Sequence, residues 1–346
     1  MAATLGDTRL TPAHKGPRGR RQVIRAVAVV VTLVLGAVGL AACDALSAPG
    51  NDSVGAKLAE WGRDHGLGDV VTWLEQLSYA VDQPAVGGAP AGGIPTASGA
   101  VNATGRVFDG GDIPLAPVAG GAPLPEEGRW QTVVTAHGRP AVQVAALRPD
   151  GQHTSFVVGV LRMDPSLVSG TLHPGTRDPG GTWKASFGLT PTEQKTVAVA
   201  FNGGFRLTDP SHNGYYSEGR TVTPLRDGAA SLVLRTDGTA DVGSWNREVR
   251  MGRSVASVRQ NLQMLVDGGQ VHPTCATVCT LGHVLADAGV VRGMELDINP
   301  EWVSGAYFHD NASGPPTGFR LFPAERATVQ RYLTPSSRDW FSWRLR

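Results

Sequence analysis

The hexapeptide Met294-Glu295-Leu296-Asp297-Ile298-Asn299 alternates apolar with polar residues and places two carboxylates and an amide at every second position. Side chains alternate along a strand, so Met294, Leu296 and Ile298 are expected to enter a core while Glu295, Asp297 and Asn299 share the opposite face. Neighbours on one face of a strand lie roughly 7 Å apart, a separation that suits the paired carboxylates of glycoside hydrolysis. A sheet face that simply meets water carries the same pattern. The choice between the two depends on what else reaches this strand.

A second polar group follows the run Thr196 to Phe201. That strand leads straight into Asn202-Gly203-Gly204-Phe205, where two glycines allow a sharp turn and close approach of a ligand to the main chain, and Asn202 offers both a donor and an acceptor. Arg206, Asp209, His212, Asn213, Tyr215, Tyr216 and Glu218 come next in one glycine-bounded loop. Such a mixture suits a sugar, whose apolar faces stack on rings while its hydroxyls take directional hydrogen bonds; a solvated loop has the same composition. A third group is Asp267-Gly268-Gly269, at the end of a strand over Leu262 to Val266. Asp267 is either a sugar-binding carboxylate or a turn former.

These residues need a β framework, and the chain supplies one from Arg129 onward. Strands are expected at Trp130 to Thr135, Ala141 to Leu147, Thr154 to Met163, Thr196 to Phe201, Ser231 to Arg235 and Leu262 to Val266, with Pro149-Asp150-Gly151 marking a hairpin. Thr280 caps a helix that Gly289 stops just before the carboxylate strand. Upstream, Asp52 or Ser53 caps a helix through about His65, and a second amphipathic helix runs to about Tyr79. Pro, Gly and Ala then dominate with little charge, the composition of a linker. The expected organisation is a signal segment over 1–50, a helical pair over 51–80, a linker over 81–128 and a catalytic-type domain over 129–346. The fold class this implies is α+β: a mixed, mostly antiparallel sheet with a few helices, preceded by the helical pair and a membrane anchor.

The 346 residues carry a formal net charge of +1, which argues against an electrostatic nucleic-acid binder. Lys15, Arg18, Arg20, Arg21 and Arg25 precede an apolar run from Ala26 to Ala42, the arrangement of an export signal or a transmembrane signal anchor. Leu40-Ala41-Ala42-Cys43 resembles a lipobox, which leaves two alternatives: a lipid on Cys43 or an uncleaved helix of about 17 residues, near the short limit for a span. Either puts the remainder at the extracytoplasmic face of a cell membrane. Cys275 and Cys279 are expected to form a disulfide in that oxidising compartment. His272 and His283 flank them, but the spacing fits no familiar zinc pattern. No cofactor motif is present, and Asp267, Glu295 and Asp297 follow no EF-hand spacing.

In order, Phe201-Asn202-Gly203-Gly204-Phe205, Gly219, Asp237-Gly238, Leu265-Val266-Asp267-Gly268-Gly269, the capped helix with Ala288-Gly289, and Leu296-Asp297 resemble the phosphodiester glycosidase family. The Leu172-His173-Pro174-Gly175 segment also resembles that family, and Glu295 through Trp302 is similar to a membrane-anchored bacterial branch of it. The resemblance covers roughly 129–346. It implies a hydrolase of a sugar 1-phosphodiester acting on cell-envelope glycans, with Asp297 as principal carboxylate and Glu295 as its partner. Asn202, Gly203, Gly204, Asp267, His212 and Asn299 would contact the sugar, and Arg206 the phosphate. Two departures stand out. Most of the family has a glycine-rich turn where this chain has Ile298-Asn299-Pro300-Glu301, and a further sheet segment is missing where Gln270 runs to Thr280 through the two cysteines. The alternative function is a non-catalytic envelope protein that binds a glycan in the same pocket.

Overall fold

A computed structural model describes residues 29, 36, 39–40, 43–47, 52–81, 85–101, 113–209, 213–273 and 279–346. The unit over 49–346 opens with two helices, α1 (Val54–Asp64) and α2 (Gly68–Val81). Ser53 caps α1 by accepting from the Ala56 amide at 3.0 Å, and Gly66, at φ 79°, ends it. Gly62 lets α2 approach closely, since a Cβ there would lie 3.0 Å from Val71.

The rest of the chain is mainly β, with every pairing between its strands antiparallel. β1 (Gln131–Ala136), β2 (Arg139–Leu147) and β3 (Val158–Met163) form one sheet in that order. A second sheet has the order β15-β14-β5-β16-β4, from β4 (Val168–His173), β5 (Val197–Asn202), β14 (Gly305–His309), β15 (Thr317–Arg320) and β16 (Trp340–Leu345). A third has the order β7-β6-β10-β8-β9, from β6 (Tyr215–Ser217), β7 (Arg220–Thr223), β8 (Ala230–Arg235), β9 (Ala240–Ser244) and β10 (Val255–Gln260). The last sheet is short: β11 (Met264–Asp267) lies between β12 (Gln270–Val271) and β13 (Gly293–Met294). Three further helices, α3 (Pro191–Gln194), α4 (Cys279–Asp287) and α5 (Gln330–Leu333), are short.

Local chemistry explains the hairpins. His137-Gly138, Glu218-Gly219 and Gly268-Gly269 each put two successive residues at positive φ, the conformation that matches a two-residue turn to the twist of its strands. β5 reads Val-Ala-Val-Ala and is buried along that run, because Val199 faces one apolar cluster and Val197 another. The first cluster joins Val133, Val142, Val199, Leu232 and Phe341 across three sheets, and the second gathers Ala200, Phe308, Tyr332 and Trp340. Burying one such large side chain contributes about 1.5–3 kcal/mol.

Several expectations need correction. The α+β fold with a single mixed sheet gives way to four separate antiparallel sheets, because strands from distant parts of the chain, above all β16, close sheets that local patterning does not connect. The helices do not precede the body as a separate layer: 49–346 form one compact unit, and 1–48 form the other. The expected transmembrane helix is not seen. Among the described residues no helix is long and apolar enough to cross a membrane, and most of the run from Ala26 to Ala42 lies outside them, as do Lys15 to Arg25. Of the expected disulfide, Cys279 is disulfide-bonded, and its expected partner Cys275 lies outside the described residues. Finally, the strand ends at Met294. Residues 295–299 leave regular structure, with Ile298 exposed and Glu295 buried, the reverse of strand alternation.

One partly buried carboxyl beside β14 makes stability depend on pH. Glu325 accepts from the Gly305 amide at 3.0 Å and the Phe322 amide at 3.1 Å. Burial pushes it up to about 7 from its ordinary 4.5, against the pull of those amides and of Arg320 and Arg331. The folded state therefore holds this proton where the unfolded chain has lost it. The associated stability is fully present below the unfolded value and lost as pH rises through about 7, on the order of 3 kcal/mol. Urea unfolding at pH 5 and pH 8 is expected to show this loss in the parent and not in Glu325→Gln; the same pH dependence in both would refute it.

Candidate functional site

A cavity of about 720 Å³ opens where the segment after β13, the loop after β5 and the two helices meet. Asp297, Asn299, Trp302 and Arg338 line one side; Phe205 and Arg206 come from the loop; Asp64, Asp69 and Glu75 close it from α1 and α2. Asp297 reaches this wall, with Glu295 buried behind it, because the backbone after Met294 is pinned from behind. Asn261, which follows β10, donates from Nδ2 to the carbonyls of Glu295 at 3.0 Å and Leu296 at 2.9 Å. Asp297 then accepts from the Asn299 amide at 2.9 Å, and Asn299 from the Glu301 amide at 2.9 Å, so the segment turns on its own side chains.

Two buried arginines organise the floor. Arg259 of β10 and Asp339 are 0% and 1% exposed and pair at 2.7 Å; Arg259 also donates to the carbonyls of Gln260 and Phe205. Arg338 donates to the Gly204 carbonyl at 3.0 Å and to Glu60 at 3.1 Å, lies 3.8 Å from Asp178, and stands 4.8 Å from the Trp302 ring centre. A buried guanidinium needs such compensation. It receives it from two carboxylates, a carbonyl and an aromatic face. The Nε atoms of Arg206 and Arg338 are buried with no hydrogen-bond partner.

Both carboxyls of the original hexapeptide titrate above their ordinary range. Burial raises Asp297, offset in part by Arg338, its backbone bonds and Arg259. Burial also raises Glu295, and the charge of Asp297 adds to the effect. Two neighbouring carboxyls pushed upward by desolvation, one of them also by the charge of the other, form an arrangement that can divide acid and base roles.

The other expected site residues are distributed differently. Arg206 is in the cavity wall, but its guanidinium is bonded to Asp64 and lies 3.6 Å from Glu60. Asn299 faces the cavity while donating to Glu75 at 2.8 Å. Asn202 is buried and spends its side chain on protein: Nδ2 donates to the Gly203 carbonyl, and Oδ1 accepts from the Ser304 amide at 3.0 Å. Gly203 and Gly204 are small for packing. A Cβ on Gly203 would meet Asp339 at 2.5 Å, and one on Gly204 would meet Asn261 at 2.8 Å. Asp267 begins the Gly268-Gly269 turn and is bonded to Arg247, away from the cavity. His212 lies outside the described residues. Among the described residues no group of three or more His, Cys, Asp or Glu is placed to hold a metal ion.

Sequence reading passed over Glu60, Asp178, Arg259, Trp302, Arg338 and Asp339. One signal was available: Arg259-Gln260-Asn261 follows the β-rich Val255-Ala256-Ser257-Val258, and polar side chains ending such a strand imply buried partners.

Fold and site together define a mainly β protein with an arginine and carboxylate pocket roofed by a helical pair. No family model matches the chain, and no curated protein matches it.

Proposed function

We propose that this chain hydrolyses a sugar 1-phosphodiester of the cell envelope, in the manner of the phosphodiester glycosidases. The observation that carries the reading is the placement of Asp297, with a raised carboxyl, in one cavity wall with the guanidiniums of Arg206 and Arg338. Guanidinium forks match phosphate oxygens, and a carboxylate beside them can serve the sugar carbon from which the phosphate departs. Water adds to the anomeric carbon and the bond from that carbon to the phosphate oxygen breaks. Its electron pair leaves with the phosphate monoester. Asp297 takes the water proton or stabilises the charge developing on the ring, and Glu295 exchanges a proton with it from behind. Phosphate is already a good leaving group, so little acid assistance is needed.

Asn202 and Asp267 have no part in this version, because their side chains are committed to Gly203, Ser304 and Arg247. The basic residues before the apolar run support an extracytoplasmic setting. The test is direct. The purified full chain is assayed on a nitrophenyl phosphodiester of a sugar, where turnover is expected. No turnover, with glycan affinity retained, would replace the enzyme with a glycan-binding protein.

A further inference from the structure

The α1 and α2 hairpin is attached to the β body in an unusual way. None of its described side chains belongs to the apolar clusters of the core, and among its described apolar side chains only Ala56 is fully buried. The face of α2 turned to the cavity is polar, with Asp69, Thr72, Glu75 and Gln76 in its wall, while Val70, Trp73 and Leu77 are each about half exposed, and Leu74, equally exposed, lines a second cavity with Pro300 and Glu301. The hairpin is held by charge instead. Glu60, 3% exposed, bonds Arg338 at 3.1 Å and lies 3.6 Å from Arg206; Asp64 bonds Arg206 and reaches Arg177 at 3.3 Å. An element joined by ion pairs rather than by apolar burial is the kind that opens locally.

The fit is also incomplete. One oxygen of Glu60 is buried with no hydrogen bond, and the Nε atoms of Arg206 and Arg338 are buried without a hydrogen-bond partner. Two monodentate carboxylates thus leave donors over that a phosphate, with more oxygens in tetrahedral array, could engage.

We propose that Arg206 and Arg338 form one binding site for a phosphate anion, that Glu60 and Asp64 fill it in place of that anion, and that the hairpin swings off when the anion binds. This rests on the assignment of Arg206 to phosphate in the proposed reaction and adds Arg338 and the displacement. A competing internal carboxylate lowers apparent affinity by the fraction of molecules in which the site is open, so weakening the competitor tightens binding.

The probe is inorganic phosphate, titrated calorimetrically into the full chain. Asp64→Asn, at a side chain about one-third exposed, is expected to fold normally and to bind phosphate about tenfold more tightly, and Arg206→Ala to bind it at least tenfold more weakly. In the unaltered protein, phosphate is expected to speed amide hydrogen exchange across 54–81. Affinity that is unchanged or lower in Asp64→Asn, or exchange across 54–81 that phosphate leaves the same or slows, would overturn the proposal. Neither readout involves turnover. Failure of this proposal and failure of the hydrolase reading are therefore told apart by separate measurements.

Discussion

Replacing Asp339 with alanine is expected to lower stability by roughly 3–5 kcal/mol, the cost of leaving a buried charge uncompensated. Asp339 and Arg259 are almost wholly shielded from water. Burial raises the Asp339 carboxyl even though Arg259 donates to both of its oxygens, at 2.7 and 3.3 Å. The attraction therefore does not fully offset desolvation, and as a pair the two contribute little net stability. Their separation is what costs. Without Asp339 the Arg259 guanidinium keeps two backbone carbonyls and no paired carboxylate, directly beneath Gly204. Urea unfolding should show the loss in Asp339→Ala. The double variant Arg259→Met with Asp339→Leu should recover most of it, since apolar replacement of both partners removes the unpaired charge. A single variant that unfolds at the parent midpoint would mean that the pair is not the strut of this floor.

Asp297→Asn is expected to reduce kcat by about 10²- to 10⁴-fold on the sugar phosphodiester, the range that a positioned acid or base supplies. Glu295→Gln should cost less, because Glu295 is buried behind the wall that Asp297 lines. The pH profile separates a catalytic from a structural role. Both carboxyls are raised by burial, so the acidic limb of the parent profile should lie above the ordinary carboxylate range. The charge of Asp297 contributes to the Glu295 shift. Its removal makes ionisation of Glu295 easier, and residual activity in Asp297→Asn should show its limb displaced to lower pH. If the two single variants turn over as fast as the parent, the carboxylates belong to packing and the hydrolase reading is lost.

The two helices show how far local pattern reached. A cap at Asp52 or Ser53 and the approximate extent of both helices were readable, because capping and helical periodicity act within a few residues. What the helices cover was not readable. Glu60 and Asp64 look like solvated positions on an amphipathic helix, and only the fold brings Arg206 and Arg338 to them from far along the chain. The strands divide in the same way. β2 and β5 announced themselves through continuous apolar runs, and the hairpin after β2 through Asp150 and Gly151. β16 did not, and it is the strand that pairs with both β4 and β5. Its Trp-Phe-Ser-Trp-Arg-Leu sequence is close to the chain end and lacks a clear period of two.

The hexapeptide that first suggested chemistry was chosen for strand alternation and took another form. Asp297 and Glu295 lie close together through Asn261, whose side chain holds the backbone out of the ladder, not through a shared strand face. By itself the sequence determined which segments are apolar enough to be buried, where turns must fall, and that carboxylates stand beside a core. These follow from properties of each residue and its near neighbours. Only the tertiary structure decided which charges compensate one another, because the cost of burying an arginine is met by whichever carboxylates the fold can bring within reach. For Arg259 that carboxylate is Asp339, and for Arg338 it includes Glu60, 278 residues away in a helix.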